Sequence, residues 1–280
     1  MEEKMPELPE VETVRRGLSA LITDKKITKV TLIYPKIIQG DTQTFVKEMT
    51  GRTFKEIDRR GKYLLFRLSD GLTMVSHLRM EGKYSVKENN EPLDKHTHVV
   101  FDLVDGMQLR YNDVRKFGRM QIVKTGTEVQ LSSLQKLGPE PTPETFLIDD
   151  FYQELQKKKK VIKTALLDQT IVAGLGNIYV DEVLWMTKIH PETKCFDITY
   201  QQAKEMHDNI ILELNRAIKA HGTTIFTFSG VNAQIGSFQN ELNVYGKKGE
   251  PCPRCQTPLE KIVVGQRGTH FCPNCQQLAK

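Results

Sequence analysis

The chain has few of the features that mark a membrane protein, a secreted protein or a disulfide-stabilised one. No apolar run approaches the roughly 20 residues that cross a bilayer, and the N-terminus lacks the pattern of a signal peptide. Only one tryptophan and five cysteines occur among 280 residues. We therefore expect a cytoplasmic protein, in which disulfide bonds are rare.

The composition is otherwise that of an ordinary globular protein. Hydrophobic residues make up 39% and charged residues 27% of the chain, and its length is enough for two domains with cores of their own. The net charge is only +5, but basic residues cluster at 59–62 and at 157–160. Such clusters favour a polyanionic partner; the alternative is a solvated surface.

The spacing of apolar residues divides the chain into a strand-rich part and a helix-rich part. After a first helix, strand-like runs joined by turns such as Asp70-Gly71 and Asp105-Gly106 predict an antiparallel β-sandwich. The predicted strands are 26–34, 53–57, 62–68, 72–77, 98–103, 108–111 and 120–123. Beyond a proline-rich linker at 138–145, helical spacing is found at 146–156, 161–167, 179–186 and 200–220. The fold class is therefore α+β with several domains.

Four of the cysteines form two Cys-x-x-Cys pairs. Cys252 and Cys255 are separated by sixteen residues from Cys272 and Cys275. This spacing predicts a C-terminal zinc ribbon in which four thiolates hold one Zn²⁺ tetrahedrally. Because no ligand position remains for water, the zinc would be structural. The fifth cysteine, Cys195, is expected to be a buried or chemically indifferent thiol.

The stretch from Met5 to Thr13 places a proline near the chain start, directly before a glutamate. An α-amine titrates near about 8 and a lysine near about 10.4, so a free Pro6 nitrogen would be the better nucleophile at neutral pH. Its attack on a sugar carbon gives an iminium, which withdraws electrons, and Glu7 is placed to move protons. The alternative is a proline that marks the start of a helix.

This stretch resembles the start of the bacterial formamidopyrimidine-DNA glycosylase family, which reads Met-Pro-Glu-Leu-Pro-Glu-Val-Glu-Thr. Further motifs resemble the same family, in its order, as far as Gln277. The resemblance implies a base-excision-repair glycosylase and AP lyase that removes 8-oxoguanine and formamidopyrimidines and cuts the strand by β,δ-elimination. It also implies four catalytic residues: Pro6, Glu7, Lys62 in an Arg-Arg-Gly-Lys motif, and Arg267 at the tip of the predicted zinc-ribbon hairpin.

The same resemblance implies a set of DNA-binding residues. An enzyme that extrudes a base must fill the vacated stack, and Met80, Arg115 and Phe117 match the residues that do this. Taken alone, Met80 and Phe117 would be assigned to the core. A helix–two-turns–helix element around Gly174 to Asn177 would bind phosphate at a helix start, although such glycines also suit a plain turn. The remaining implied contacts are His96, Lys159 and Lys163.

The implied domain organisation has four segments. A catalytic β-sandwich with its leading helix spans 5–137, and the linker spans 138–145. A helix–two-turns–helix domain with a lesion-capping loop spans 146–238, and a zinc-finger hairpin spans 239–280. The implied partner is double-stranded DNA with oxidised or abasic sites, bound by a monomer at the bacterial nucleoid. One zinc is the implied cofactor.

Two features depart from the family pattern. Met1–Lys4 precede Met5, and with them attached the Pro6 nitrogen would be an amide; we expect Met5 to be the working start or the extension to be processed. Otherwise the chain would bind damaged DNA without cutting it. Phe226 stands where a basic residue is expected in the capping loop. A second alternative is an endonuclease VIII-type glycosylase for oxidised pyrimidines, against which Leu8 and the three gap-filling residues argue.

Overall fold

The computed structural model describes residues 5–223 and 236–278, which belong to two compact units. The β-strand unit comprises 5–135 with 220–223 and 236–237, and the helical unit comprises 136–219 with 238–278. Met1–Lys4 and Phe226 lie outside the described residues. Within the described ranges, every helix is too short or too polar to span a bilayer.

Two four-stranded antiparallel sheets form the β-strand unit. One sheet has the order β1-β6-β7-β5 and the other the order β2-β3-β4-β8. The strands are β1 (Ile27–Leu32), β2 (Phe54–Arg60), β3 (Tyr63–Leu68), β4 (Leu72–His77), β5 (Lys83–Glu88), β6 (Thr97–Leu103), β7 (Met107–Asn112) and β8 (Arg119–Lys124). The predicted antiparallel sandwich is confirmed.

The sandwich core is filled by the inward-facing residues of both sheets and by one face of a long helix. The rings of Phe54, Phe66 and Phe101 are fully buried, and Phe54 contacts each of the other two. Helix α1 (Leu8–Ile22) places apolar residues three and four apart on this core, including Val14 and Leu18. Each such buried side chain contributes about 1.5–3 kcal/mol. Two shorter helices complete the unit: α2 (Thr42–Met49) and α3 (Ser132–Gln135).

The helical unit contains four helices and a two-stranded hairpin. These are α4 (Ile148–Gln156), α5 (Ile162–Leu166), α6 (Asn177–Met186), α7 (Tyr200–Lys219), β9 (Glu260–Val264) and β10 (Arg267–Phe271). Helix α6 is its centre, since eight of its ten residues are buried. The buried carboxylate of Glu182 accepts hydrogen bonds from the N–H groups of Val244 and Tyr245, both at 2.9 Å, and so fixes the segment that leads to the hairpin.

Candidate functional site

Pro6 and Glu7 lie buried at the start of α1. Glu7 caps this helix in a reciprocal arrangement with Glu10: its backbone N–H donates to Glu10 Oε2 at 2.9 Å, and its carboxylate accepts from the backbone N–H of Glu10. Pro9 occupies the first helical turn, where its missing N–H is not needed. The helix start therefore holds the proline–glutamate pair in one conformation.

Glu10 is a second important carboxylate at this position, and the sequence patterns did not reveal it. It is 2% exposed, and its Oε1 accepts hydrogen bonds from the backbone N–H of Thr223 at 2.8 Å and from the Thr223 hydroxyl at 3.0 Å. A Cβ on Gly222 would lie 2.8 Å from the same oxygen, so glycine is required there. Glu10 thus connects the start of α1 to residues 213 positions later in the chain.

The sequence predicted Lys62 at the start of a strand, but in the structure it lies in a tight turn. β2 and β3 are joined by the two-residue loop Gly61-Lys62, in which Gly61 has a φ of 55°. Glycine at this first position is typical of a type II′ hairpin. A lysine in such a loop is usually solvated, yet Lys62 is only 5% exposed. Its burial marks it as a candidate for chemistry.

Side-chain contacts connect this turn to α1. Arg59 Nε lies 3.3 Å from Glu12 Oε2, and the same guanidinium donates through Nη1 to the carbonyl of Gly61 at 2.9 Å. Glu12 is buried and also pairs with Arg15 and Arg16. Burial raises the pKa of Glu12, but the hydrogen bonds from Arg15 and Arg16 outweigh it and lower the pKa overall. An ionised Glu12 therefore fastens α1 to the strand that leads into Lys62.

His77 is a further residue beside Lys62 that the sequence patterns did not indicate. It pairs with Tyr63 in the adjacent strand, next to Lys62, and the rings of His77 and Tyr63 meet edge to face at 4.4 Å. Burial, followed by the charges of Arg79 and Lys62, lowers the pKa of His77 to about 3. Its Nδ1 accepts the N–H of Arg79 at 2.9 Å, so the neutral ring carries its proton on Nε2.

The loops that carry the predicted gap-filling residues meet at one tyrosine hydroxyl. A Cβ on Gly82, in the β4–β5 loop, would lie 2.3 Å from the Tyr111 hydroxyl, and one on Gly118, in the β7–β8 loop, would lie 1.6 Å from it. Met80, which is half-buried, precedes Gly82 in the first of these loops. The two loops therefore lie side by side at one edge of the sandwich.

The β7–β8 loop is organised by Asp113, which is 1% exposed. Its carboxylate accepts from the backbone N–H groups of Arg115 at 3.0 Å and Gly118 at 2.8 Å. Between these anchors, the guanidinium of Arg115 lies 4.7 Å from the ring centre of Phe117, which is 46% exposed. The carbonyl of His96 accepts the N–H of Asp113 at 3.0 Å, so His96 lies at the same edge.

In the helical unit, Asn177 is the first residue of α6 and follows the turn made by Gly174, whose φ is 89°. Its Nδ2 donates to the carbonyl of Gly268 at 2.9 Å, which leaves one of its two amide hydrogens for another acceptor. Arg267 is exposed and opens β10 beside the Gly265-Gln266 turn. Asn177 and the strand that carries Arg267 are thus neighbours within this unit.

The two lysines of the predicted DNA surface differ in their exposure to solvent. Lys159 is exposed, within the basic cluster that precedes α5. Lys163 has no exposed surface, and its ammonium group is paired with the carboxylate of Asp181, which is also buried. Because a buried, paired ammonium cannot reach a DNA phosphate from this position, we propose a structural role for Lys163 in place of the predicted contact.

Among the described residues, Cys252, Cys255, Cys272 and Cys275 converge on one point, with their sulfur atoms all within 4.8 Å of one another. Zn–S bonds of about 2.3 Å in a tetrahedron require sulfur atoms about 3.8 Å apart, so the cluster fits one zinc ion. This is the structural zinc site of the protein. Cys195 is fully buried, as expected, and burial raises the pKa of its thiol to about 11.

The fold and these groups define a class of three-part proteins with a sandwich, a helix–two-turns–helix element and a zinc finger. Family models match all three parts: the Formamidopyrimidine-DNA glycosylase N-terminal domain at 5–120, the Formamidopyrimidine-DNA glycosylase H2TH domain at 137–229, and the zinc finger found in FPG and IleRS at 249–278. The chain belongs to the formamidopyrimidine-DNA glycosylase family.

Individual relatives resemble the chain over its whole length. Formamidopyrimidine-DNA glycosylase of Ligilactobacillus salivarius is 60% identical over 272 residues, covering 97% of this chain and 99% of that protein. The structure of a mutant Lactococcus lactis FPG with Fapy-dG-containing DNA is similar with a TM-score of 0.94 and 48% identity, covering 98% of this chain and 100% of that one. The complex of Lactococcus lactis FPG with abasic-site DNA gives 0.93 and 47%, covering 97% and 100%.

Proposed function

We propose that the protein is a bifunctional DNA glycosylase and AP lyase that excises oxidised purines, including formamidopyrimidines and 8-oxoguanine, from double-stranded DNA. The observation that carries this proposal is the buried Pro6-Glu7 pair at the start of α1 in a chain that belongs to this family. Similarity to solved complexes with Fapy-dG and abasic-site DNA supports the substrate class. A chromosomal substrate implies action in the cytoplasm at the nucleoid, and we propose that a monomer suffices.

Excision begins with the Pro6 nitrogen. Its lone pair attacks the sugar C1′ of the damaged nucleotide, the bond to the base breaks, and the base leaves with a proton. Glu7 supplies the proton that opens the sugar ring at O4′, which gives an iminium between Pro6 and C1′. The buried ammonium of Lys62 assists the attack by stabilising negative charge in the transition state.

Strand cleavage follows from the iminium, which makes the C2′ proton acidic. Loss of that proton breaks the C3′–O bond, and later loss of the C4′ proton breaks the C5′–O bond, so each elimination releases one phosphate-ended strand. Water then hydrolyses the iminium, which frees the sugar remnant as an aldehyde and regenerates the amine. The guanidinium of Arg267 binds the phosphate that leaves in the second elimination, where a planar double donor is well suited.

The flipped-out state of the base is stabilised by the edge of the sandwich. Met80 and Phe117 take the place of the extruded base in the stack, and the guanidinium of Arg115 pairs with the base left without a partner. His96, Lys159 and Asn177 bind the DNA backbone. The hydrogen bonds to Asp113 support this assignment, because they hold the β7–β8 loop in shape before DNA arrives.

The chemistry requires that Pro6 carry a free nitrogen. We would treat a duplex with 8-oxoguanine opposite cytosine with borohydride in the presence of either the chain as given or a version that begins at Pro6. Reduction converts the iminium into a stable covalent adduct. The proposal expects an adduct with the Pro6 version, and with the longer form only after loss of its first five residues, which the adduct mass would reveal. Binding of abasic DNA without any adduct would replace the enzyme by a damaged-DNA-binding protein.

A substrate panel separates the proposal from the pyrimidine-specific alternative. The expected order is 8-oxoguanine and formamidopyrimidine before thymine glycol, each opposite its normal partner. Faster excision of thymine glycol would show that the endonuclease VIII-type activity is the true one. Replacing Arg115 by alanine should reduce the preference for a lesion opposite cytosine while leaving cleavage of a preformed abasic site nearly intact.

A further inference from the structure

A buried polar network joins the zinc hairpin to the DNA-binding turn of the helical unit. Asp181, in α6, is 1% exposed. One of its oxygens accepts from Lys163 Nζ in α5, and the other accepts the backbone N–H of His270 in β10 at 2.9 Å. His270 Nδ1 lies 3.5 Å from the same oxygen. A single carboxylate thus connects two helices and one strand of the hairpin.

Two further contacts connect the same elements. Asn177 Nδ2 donates to the carbonyl of Gly268, one residue after Arg267, at 2.9 Å. At the hairpin turn, a Cβ on Gly265 would lie 2.3 Å from Thr164 Cγ2, so the turn packs directly on α5. The hairpin is therefore held at its turn, at Gly268 near the start of β10 and, through Asp181, at His270.

Stability alone does not explain why this network contains a buried ion pair between Lys163 and Asp181. Removing an ion pair from water is expensive, and an apolar pair of similar size is often as stable or more so. A carboxylate, however, can accept from an ammonium and from a backbone N–H at the same time, in two fixed directions. An apolar pair would pack equally well but would leave the N–H of His270 buried without an acceptor.

We propose that Asp181 is a positioning residue for Arg267. By fixing β10 on α5 and α6, it holds the guanidinium-bearing end of the hairpin at a set distance from Asn177, so that both groups meet one DNA backbone in the right register. The proposal rests on the DNA-binding roles assigned above to Arg267 and Asn177.

The residue that Asp181 fixes, His270, lies close to Arg267 along the strand. In an extended strand the three steps from His270 to Arg267 span about 10 Å, and both residues are paired with β9, at Lys261 and Val264. Release of the His270 N–H therefore frees the strand to shift or twist at the end where Arg267 is exposed. Misplacement by about 1 Å is enough to slow a catalysed step markedly.

Two double variants isolate the hydrogen bond from the charge. Lys163→Met/Asp181→Asn removes both charges and retains an acceptor for the His270 N–H, whereas Lys163→Met/Asp181→Ala removes both charges and the acceptor. Asp208→Asn, in an exposed ion pair on α7, is the control for the same substitution elsewhere. The two double variants have equal charge, so any difference between them reports the hydrogen bond.

The first measurement is hydrogen exchange at residues 265–271 of the zinc-loaded protein. The alanine double variant should exchange its His270 amide roughly tenfold faster than the asparagine double variant, as expected for loss of one buried hydrogen bond. If both exchange equally, Asp181 does not fix β10 and the proposal is overturned. If the alanine form alone loses zinc, the same conclusion of a fixing role follows, whereas loss of zinc from both overturns it.

The second measurement separates positioning from mere stability. Single-turnover reactions on abasic DNA, normalised to the trapped active fraction, give the rates of the first and second eliminations. The alanine double variant should slow the second elimination roughly tenfold and the first less than about threefold, while the asparagine form stays close to Asp208→Asn. Equal slowing of both steps, or of both double variants, would contradict positioning.

Arg267→Ala serves as the reference for the proposed function itself. If it slows the second elimination and the alanine double variant does not, the positioning proposal fails while the role of Arg267 stands. If Arg267→Ala leaves that elimination unchanged, the assigned role of Arg267 is wrong. In that case the exchange experiment alone decides whether Asp181 fixes the hairpin.

Discussion

Gly118 offers the sharpest test of how the β7–β8 loop, which carries the proposed gap-filling residues Arg115 and Phe117, is held. Its φ is not in the left-handed region, so the effect of an added methyl group is purely steric. A Cβ there would lie 1.6 Å from the Tyr111 hydroxyl, 2.7 Å from ring carbon Cζ and 3.3 Å from Asp113 Oδ2. The Tyr111 ring is fully buried and cannot swing into solvent. Gly118→Ala must therefore displace either the ring or the loop.

The size of the effect follows from two contributions. Forcing an extra methyl group into a packed site destabilises by about 1–3 kcal/mol. Displacing Tyr111 also breaks its 3.3 Å hydrogen bond to Asp113, in a buried position where an unmade bond costs about 1–3 kcal/mol. We expect Gly118→Ala to lower the free energy of unfolding by about 2–6 kcal/mol. Affinity for abasic DNA should fall as well, because Arg115 and Phe117 lie in the same loop.

A double-mutant cycle with Tyr111→Phe identifies the cause. Without the hydroxyl, the nearest atom to the new Cβ is the ring carbon at 2.7 Å, so the clash is reduced but not abolished. We expect the two substitutions to couple by about 1–2 kcal/mol in urea-induced unfolding followed by circular dichroism. Gly126→Ala is the comparator, since Gly126 has a φ of 88° and open space around it; it should cost only about 1–2 kcal/mol of backbone strain. Additive effects, or a loss below about 0.5 kcal/mol for Gly118→Ala, would refute this account.

Three further predictions concern the metal site, a buried acid and the start of α1. Cys252→Ser or chelation should remove the one zinc. Because Trp185 Nε1 donates to Cys252 Sγ at 3.4 Å, loss of zinc should also change the fluorescence of the chain's only tryptophan. Unchanged tryptophan emission when the measured zinc content falls would argue against this geometry. Burial, followed by the charge of Glu182, raises the pKa of Glu213 to about 7. Ionisation of Glu213 therefore opposes folding. The free energy of unfolding should fall by at most about 3 kcal/mol as the pH rises from the unfolded pKa of about 4.5 through 7. Glu213→Gln should remove most of that decline in urea unfolding at several pH values, and an identical pH profile would contradict it. Glu10→Ala removes the acceptor of three buried hydrogen bonds and should lower the free energy of unfolding by about 2–4 kcal/mol. Glu10→Gln keeps an acceptor oxygen and should lose less stability. Equal unfolding midpoints for the two variants would count against these hydrogen bonds.

The elements of this fold that sequence periodicity predicted are those with a strong local signal. Seven of the eight sandwich strands, the helices α1, α4, α5, α6 and α7, and the hairpin between the cysteine pairs follow from apolar spacing and turn residues. β5 was missed because its alternation, with only Tyr84 and Val86 facing inward, is too short to distinguish from a polar loop. α2 was missed although Asp41 caps it, with the N–H of Thr44 donating to the carboxylate at 2.6 Å. Short elements take their stability from neighbours that no local window contains.

The site residues show the same limit more clearly. Lys163 follows a run of lysines, and the resemblance implied that it contacts DNA. Its partner Asp181 is 18 positions away and is recognised only when α5 packs on α6. Glu10 lies within the motif that drew attention to Pro6, yet its contact with Thr223 spans most of the chain. Residue type and spacing therefore predicted candidate site residues, whereas the contacts of Lys163 and Glu10 depend on tertiary packing.

Three buried glutamates, Glu7 at the N-cap of α1 and Glu10 and Glu12 within it, illustrate why the motif extends beyond the Pro6-Glu7 pair. Glu12 is held ionised by arginines and fastens α1 to β2, and Glu10 binds both the N–H of Glu7 and the Thr223 region. Two of the three carboxylates thus fix the helix start that follows Pro6 and Glu7. In the proposed reaction, attack on C1′ requires a free Pro6 nitrogen to be held within about 0.5 Å of the productive position. We therefore expect Glu10 and Glu12, which have no assigned chemical step, to hold the helix start from which Pro6 would react.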